Sequence, residues 1–103
     1  MDFRSVKPMR LINVLLLDKF KRKHAGSKVA LDAWRKEVEC ADWKRPQDIK
    51  NRYQQADFLA NNKVIFNING NHYRLVVVVQ YQMGMVVVDW VGTHAEYSKK
   101  RFD

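Results

Sequence analysis

An α+β fold, with two helices ahead of a small and mainly antiparallel sheet, is what this sequence predicts, and three observations predict it. Between residues 15 and 41, apolar residues recur at three- and four-residue spacing: Leu16, Leu17 and Phe20, then Leu31, Trp34, Val38 and Ala41. That is the period of a helix with one buried face. From Lys63 onward, β-branched and aromatic residues take over in three runs, Lys63 to Ile68, Asn71 to Tyr81 and Met85 to Thr93, which read as strands. Between the first two runs stands Asn69-Gly70, a strong signal for a tight hairpin because both residues tolerate positive φ.

The elements follow in order. Residues 1–8 show no periodicity and end on Pro8, which restricts the residue before it, so they form a tail ahead of one domain spanning 9–103. A chain of 103 residues has no room for two cores. Arg10 to Val14 predicts a short strand and Leu15 to His24 the first helix. Ala25-Gly26-Ser27 supplies a stop and then an N-cap for the second helix, which runs to Ala41. Trp34 lies on its apolar stripe, and Cys40 reads as a small buried thiol. The basic residues Lys19, Lys21, Arg22, Lys23, Lys28, Arg35 and Lys36 form the solvated faces of these helices.

Trp43 to Asp57 is a polar connector, with Pro46, one short helix from Gln47 to Tyr53, and Trp43 closing the core. In the strands, the unbroken run Leu75 to Val79 implies burial on both faces. Met83-Gly84 turns the last pair, and His94 to Phe102 forms a short C-terminal helix. The predicted order is β-α-α-β-β-β plus that helix.

Nineteen Lys and Arg oppose eleven Asp and Glu, for a formal charge of +8 and a pI near 9.8. Such a balance draws polyanions and makes nucleic acid the leading partner class; the alternative is a merely soluble basic surface. The lone Cys40 excludes an internal disulfide or a cysteine-built metal cage and fits a reducing compartment, the cytoplasm. No apolar run approaches the ~20 residues that span a bilayer, and residues 1–9 lack a signal-peptide core.

Taking Asn69 and Gly70 as the whole loop sets Asn67 opposite His72 and Ile65 opposite Arg74. One face then collects Val64, Phe66, Ile68, Tyr73, Leu75, Val77 and Val79; the other collects Asn67, His72 and Arg74. A two-residue turn at Met83-Gly84 adds Asp89 and Thr93 to this second face and leaves Trp90 on the apolar one. Cleavage of RNA through a 2′-hydroxyl needs a base, a proton donor and positive charge at the phosphate. Arg74 offers a planar fork of donors. His72 and His94 are histidines, which titrate near neutrality, and Tyr73, Tyr81 and Tyr97 offer hydroxyls or stacking surfaces. The plain readings stand beside these. Arg74 pairs with a carboxylate such as Asp89, His72 is surface, and His94 caps a helix.

Three segments carry a resemblance: DAWRKEVECADWKRPQDIK at 32–50, VIFNINGNHYRLVVVV at 64–79 and VGTHAEYSK at 91–99. Together they resemble the HigB toxins of the RelE-like superfamily, over about 90 of the 103 residues and with only the tail outside. The resemblance implies a RelE-like fold and metal-independent cleavage of messenger RNA on the ribosome, so that translation stops. It also implies neutralisation by a helix-turn-helix antitoxin encoded beside it, with DNA met only through the antitoxin complex. No cofactor and no membrane partner are implied. On the matching positions, Arg74 stabilises phosphorane charge, His94 is general acid or base, and Tyr97 stacks on a base or donates a proton. Lys63, His72, Asn71, Asn67 and Thr93 are RNA contacts, with Asn67 and Asn71 equally open to a structural role and Tyr73 preferred as packing. Two alternatives remain. One is a non-catalytic RNA- or ribosome-binding module; the other is a gyrase-poisoning branch of the same superfamily, against which the histidine of THAEY argues. A magnesium site is disfavoured, since the polar face offers Asp89 alone where such sites use clustered carboxylates.

Overall fold

The computed structural model describes residues 8–100; the expected tail therefore lies, apart from Pro8, outside the described residues. Strand β1 is Arg10–Ile12. It is shorter than expected because Asn13 adopts φ 70°, a left-handed turn that asparagine tolerates. The Asn13 side-chain amide then donates to the Val88 carbonyl at 2.9 Å, continuing the pairing where the strand stops. Helix α1 (Leu15–Lys23) buries Leu17 and Phe20, and a 3-10 turn over Ala25–Ser27 leads into α2 (Lys28–Cys40). Helix α3, Pro46–Arg52, starts one residue before the expected segment, as suits a proline in the first turn. Asp48 holds its N-terminus by accepting from Lys44 N (2.9 Å) and Arg45 N (3.3 Å).

Among the described residues the sheet has five strands in the order β1-β5-β4-β3-β2. Strand β2 (Asp57–Phe58) was not expected, since two residues cannot display a period. Strands β3 (Lys63–Ile68) and β5 (Met85–Thr93) have the expected limits, and β4 is Tyr73–Gln80. Of these pairings the β1–β5 one is parallel and the other three are antiparallel. Helix α4, His94–Ser98, follows β5 directly; the expected extension to Phe102 passes outside the described residues.

Two registers differ from expectation, with different consequences. Ile68 pairs with Tyr73 and Asn67 with Arg74, so the first hairpin loop comprises Asn69, Gly70, Asn71 and His72, closed by His72 N donating to Asn69 O at 3.2 Å. Asn69 (φ 53°) and Gly70 (φ 66°) do take the positive φ expected of them. A shift of two residues returns every side chain to the face assigned to it, because strand period is two. The second hairpin pairs Gln80 with Met85 and then carries a bulge between Val76 and Val77, opposite Asp89. One extra residue reverses everything after it. Val91 joins the core face, whereas Trp90 and Gly92 join the face of Arg74. Asp89 occupies the bulge, and Thr93 lies opposite Tyr73. The expectations for Trp90, Asp89 and Thr93 are thereby corrected.

The core sits between the helices and one sheet face, where Leu17, Leu31, Trp34 and Val38 meet Val64, Phe66, Leu75, Val77, Val79, Val86 and Val88. Phe66 is its aromatic centre, with ring centroids 5.4 Å from Trp34, 6.2 Å from Trp43 and 5.0 Å from Tyr53. The other face is covered as well at Ile65 and Val76, as the run Leu75 to Val79 predicts. Two further expectations fail. Cys40 is exposed, because it falls about 200° round the helix from Val38. Ser27 has helical backbone angles and makes no side-chain cap; its hydroxyl donates to the His24 carbonyl at 2.7 Å.

Candidate functional site

Arg74 projects from β4 onto the face away from the core, and is only 9% exposed. Its Nη1 donates to the carbonyls of Asn71 and Tyr73, both at 3.3 Å. Its guanidinium carbon lies 5.7 Å from the centre of the Tyr97 ring, within cation–π range. The expected carboxylate partner is not there. Asp89 has moved into the bulge, and no described acidic residue forms an ion pair with Arg74. A guanidinium carries five N–H donors; with both on Nη1 used by carbonyls, the Nε and Nη2 edge remains for a ligand. That edge is the fork that fits a phosphate in two bonds.

Tyr97 is positioned by the start of α4. Thr93 Oγ1 accepts from Glu96 N at 3.1 Å, and Glu96 Oε1 accepts from Thr93 N at 2.8 Å, a reciprocal cap. The bond from the Thr93 backbone lowers the Glu96 pKa, helped by Lys23 and His24 nearby. Thr93, expected as an RNA contact, has its hydroxyl occupied in this cap. The His94 backbone N–H donates to the His72 carbonyl at 3.0 Å, which fastens α4 to the first hairpin loop. His72 and His94 are both exposed at this end of the sheet.

The structure thus brings Arg74, Tyr97, His94, His72 and Asn71 to one corner. Asn67 is opposite Arg74 across the strands, with its amide 3.5 Å from Gln55 Oε1. Asn71 contributes its backbone carbonyl, and its exposed side chain stands at the rim. Lys63 is not part of the cluster: it pairs with Val78, four residues and about 13 Å along the strand from Asn67. Tyr73 packs as preferred, edge-on to Phe20 at 5.5 Å, and its hydroxyl would lie 3.2 Å from a Cβ at Gly26, a tight contact.

Trp90 is the residue the sequence reading assigned to the wrong side. Its ring is 6.3 Å from that of Tyr97, with the Lys100 ammonium 5.7 Å above it. It also lies across Gly92, where a Cβ would come within 2.3 Å of the indole. One feature of the sequence coincides with the shift: Asp89, which interrupts an otherwise apolar strand, is the extra residue of the bulge. No period in the sequence marks the role of Lys100.

Much of the helical basic surface is already paired. Lys21 donates to Asp32 at 2.6 Å and stands 3.4 Å from Asp18, while Lys28 reaches Asp32 at 2.8 Å. Hydrogen bonds from these two lysines bring the Asp32 pKa down to about 2. Arg35 pairs with Asp18 and Glu39, and Arg52 with Glu37. Among the described residues no group of three or more His, Cys, Asp or Glu is disposed to hold a metal ion, and no helix is long and apolar enough to cross a membrane.

A search of curated proteins returned no match. A family model does match, over residues 27–100, more than two thirds of the chain, from the end of the 3-10 turn past α4. It includes every residue of the Arg74 corner. Its description is a HigB toxin, the RelE-like toxic component of a toxin-antitoxin system. The order of helices and mixed sheet agrees with it, and the chain belongs to the HigB family of RelE-like toxins.

Proposed function

We propose that this toxin is an endoribonuclease that cuts messenger RNA on the ribosome without a metal ion, with the Arg74 corner as its catalytic site. The observation that carries the reading is the half-used guanidinium. Arg74 is fixed by two carbonyls and an aromatic ring, has no carboxylate to neutralise it among the described residues, and leaves one donor edge unused. A fixed cation of this kind stabilises charge that develops in a transition state without reorganising first.

In the proposed reaction, the 2′-oxygen of one nucleotide attacks the adjacent phosphorus. Its proton goes to a base, and the bond to the 5′-oxygen of the next nucleotide breaks as that oxygen takes up a proton. The products are a 2′,3′-cyclic phosphate and a 5′-hydroxyl. Arg74 meets the added charge on the phosphorane, and His94 performs one of the two proton transfers. Tyr97 carries the guanidinium and stacks on a base or donates a proton. His72, Asn71 and Asn67 contact the RNA around it. Lys63, about 13 Å away along β3, meets the backbone one or two nucleotides further on.

The test is induced expression in bacteria followed by mapping of messenger RNA 5′ ends. Cleavage inside translated regions is expected, falling at least ~100-fold in Arg74→Ala, the cost of losing one preorganised donor. Growth arrest with intact messages would identify a binder or a gyrase poison instead.

A further inference from the structure

Between α3 and β2 the chain makes a tight turn, Tyr53 to Ala56, closed by Ala56 N donating to Tyr53 O at 3.1 Å. Both feet of the turn are fixed. Tyr53 packs edge-on to Phe66 at 5.0 Å, and Ala56 is buried, with its carbonyl accepting from Lys50 Nζ at 2.9 Å. Gln54 and Gln55, at the tip, are exposed. The turn stands beside the first hairpin and encloses a recess of about 290 Å3 with Phe66, Asn67 and Gly70. Across it Asn67 Nδ2 donates to Gln55 Oε1 at 3.5 Å, a long and therefore weak bond. Neither amide makes another side-chain hydrogen bond among the described residues, so the pair keeps the acceptor of Asn67 and the donors of Gln55 for a ligand. The recess adjoins the Arg74 corner. Asn67 and Arg74 are directly opposite in the β3–β4 ladder, so their side chains leave the same face about 5 Å apart.

We propose that this recess receives one nucleobase of the RNA whose phosphate Arg74 holds, and that Gln55, together with Asn67, sets the base preference there. The inference rests on the RNA-cleaving function proposed above and deepens it. No charged side chain lines the recess, so a phosphate goes to the unused donor edge of Arg74 and not to the amides. A carboxamide presents a donor beside an acceptor, and base edges differ from one another in that pattern. The aromatic rings of the recess are taken up elsewhere: Phe66 is 1% exposed, and the Arg52 guanidinium lies 5.1 Å from the centre of the Tyr53 ring. Stacking accepts every base, whereas hydrogen bonds to amides discriminate, so the recess selects a base rather than merely holding one. Its volume is at the lower limit for small-ligand pockets, which suits a single planar base. A peptide segment of the antitoxin is the other class of partner that carboxamides can hold. The shared border with the donor edge of Arg74 favours RNA.

The test maps messenger RNA 5′ ends after induced expression of the full chain. The parent is compared with Gln55→Ala and with Gln82→Ala, a glutamine exposed in the turn at the far end of β4. The parent should show a preferred base at one position beside the cut. Gln55→Ala should lower that preference at least ~5-fold, the smaller effect of one base-reading side chain, while Gln82→Ala should keep it. The preference is a ratio between bases within one sample, so a general loss of activity does not imitate it. A parent that cuts without base preference, or a Gln55→Ala profile identical to the parent's, would overturn the proposal and leave the cleavage reading standing. Loss of affinity for the antitoxin in Gln55→Ala, measured by calorimetry, with an unaltered cleavage profile would also overturn it and assign the recess to the antitoxin. A parent that cuts no RNA would overturn both readings.

Discussion

Gly92 shows how one residue sets the geometry of the candidate site. A Cβ at this position would lie 2.3 and 2.4 Å from two atoms of the Trp90 indole and 2.9 Å from Glu96 Oε1. The benzo edge of the indole therefore occupies the space a side chain would take, and any side chain displaces it from its place beside Tyr97, the ring under Arg74. Gly92→Ala should destabilise the protein by about 1–3 kcal/mol, the usual cost of forcing volume into a packed site. Tryptophan emission should shift to the red, because Trp34 and Trp43 are buried and Trp90 is the ring that moves. Urea unfolding followed by fluorescence measures both; a variant as stable as the parent would remove the packing role. Arg74 stood out in the sequence as a lone cation in a largely apolar strand, and the resemblance named Tyr97, His94, His72 and Asn71 beside it, but the contact of Arg74 with the Tyr97 ring was not legible. The ring beneath it lies 23 positions later in the chain, and contact between them depends on where β5 ends and α4 begins.

Elements explain which parts of the sheet were legible. Alternation and β-branching gave the limits of β3 and β5, and Asn69-Gly70 marked the first turn. The turn took in two more residues without moving any side chain to the other face. The bulge at Asp89 was less visible, and it alone exchanged Trp90 and Val91 between core and surface. The helices are more regular, and their polar faces hold an ion-paired clamp, in which Asp32 of α2 binds Lys21 of α1 and Lys28 of its own first turn. The Asp32 carboxyl has a folded pKa of about 2 against 3.8 for a free aspartate. Its contribution to stability is therefore fully present above about pH 4 and is lost as the pH falls toward 2. Asp32→Asn should unfold more easily than the parent at neutral pH, with the gap closing below pH 4. Because the pair faces solvent, the gap is small. Melting temperatures taken between pH 7 and pH 2 test this, and a gap that persists at pH 2 would mean the residue acts by packing and not by charge.

At the scale of the whole molecule, the +8 charge attracts a polyanion, yet on the proposed function not every cation contributes equally to holding RNA. A lysine already held by two carboxylates displaces few counterions from an RNA phosphate, because its charge is compensated beforehand. Lys21 is such a residue, lying within 3.4 Å of Asp18 and 2.6 Å of Asp32 and only 16% exposed. Lys99, the residue that follows α4 at its C-terminal cap, is exposed, has no carboxylate within salt-bridge distance among the described residues, and stands two positions from Tyr97. Affinity for a single-stranded RNA should fall linearly with the logarithm of salt concentration. Lys99→Gln should reduce the slope by about 0.7, the value for one neutralised phosphate on a single strand, while Lys21→Gln should leave it unchanged in folded protein. Fluorescence anisotropy with a labelled oligonucleotide at a series of salt concentrations reads both slopes. Equal slopes for the two variants would mean that RNA senses the molecule as a uniformly charged body, and the α4 corner would then have no privileged contact with the backbone.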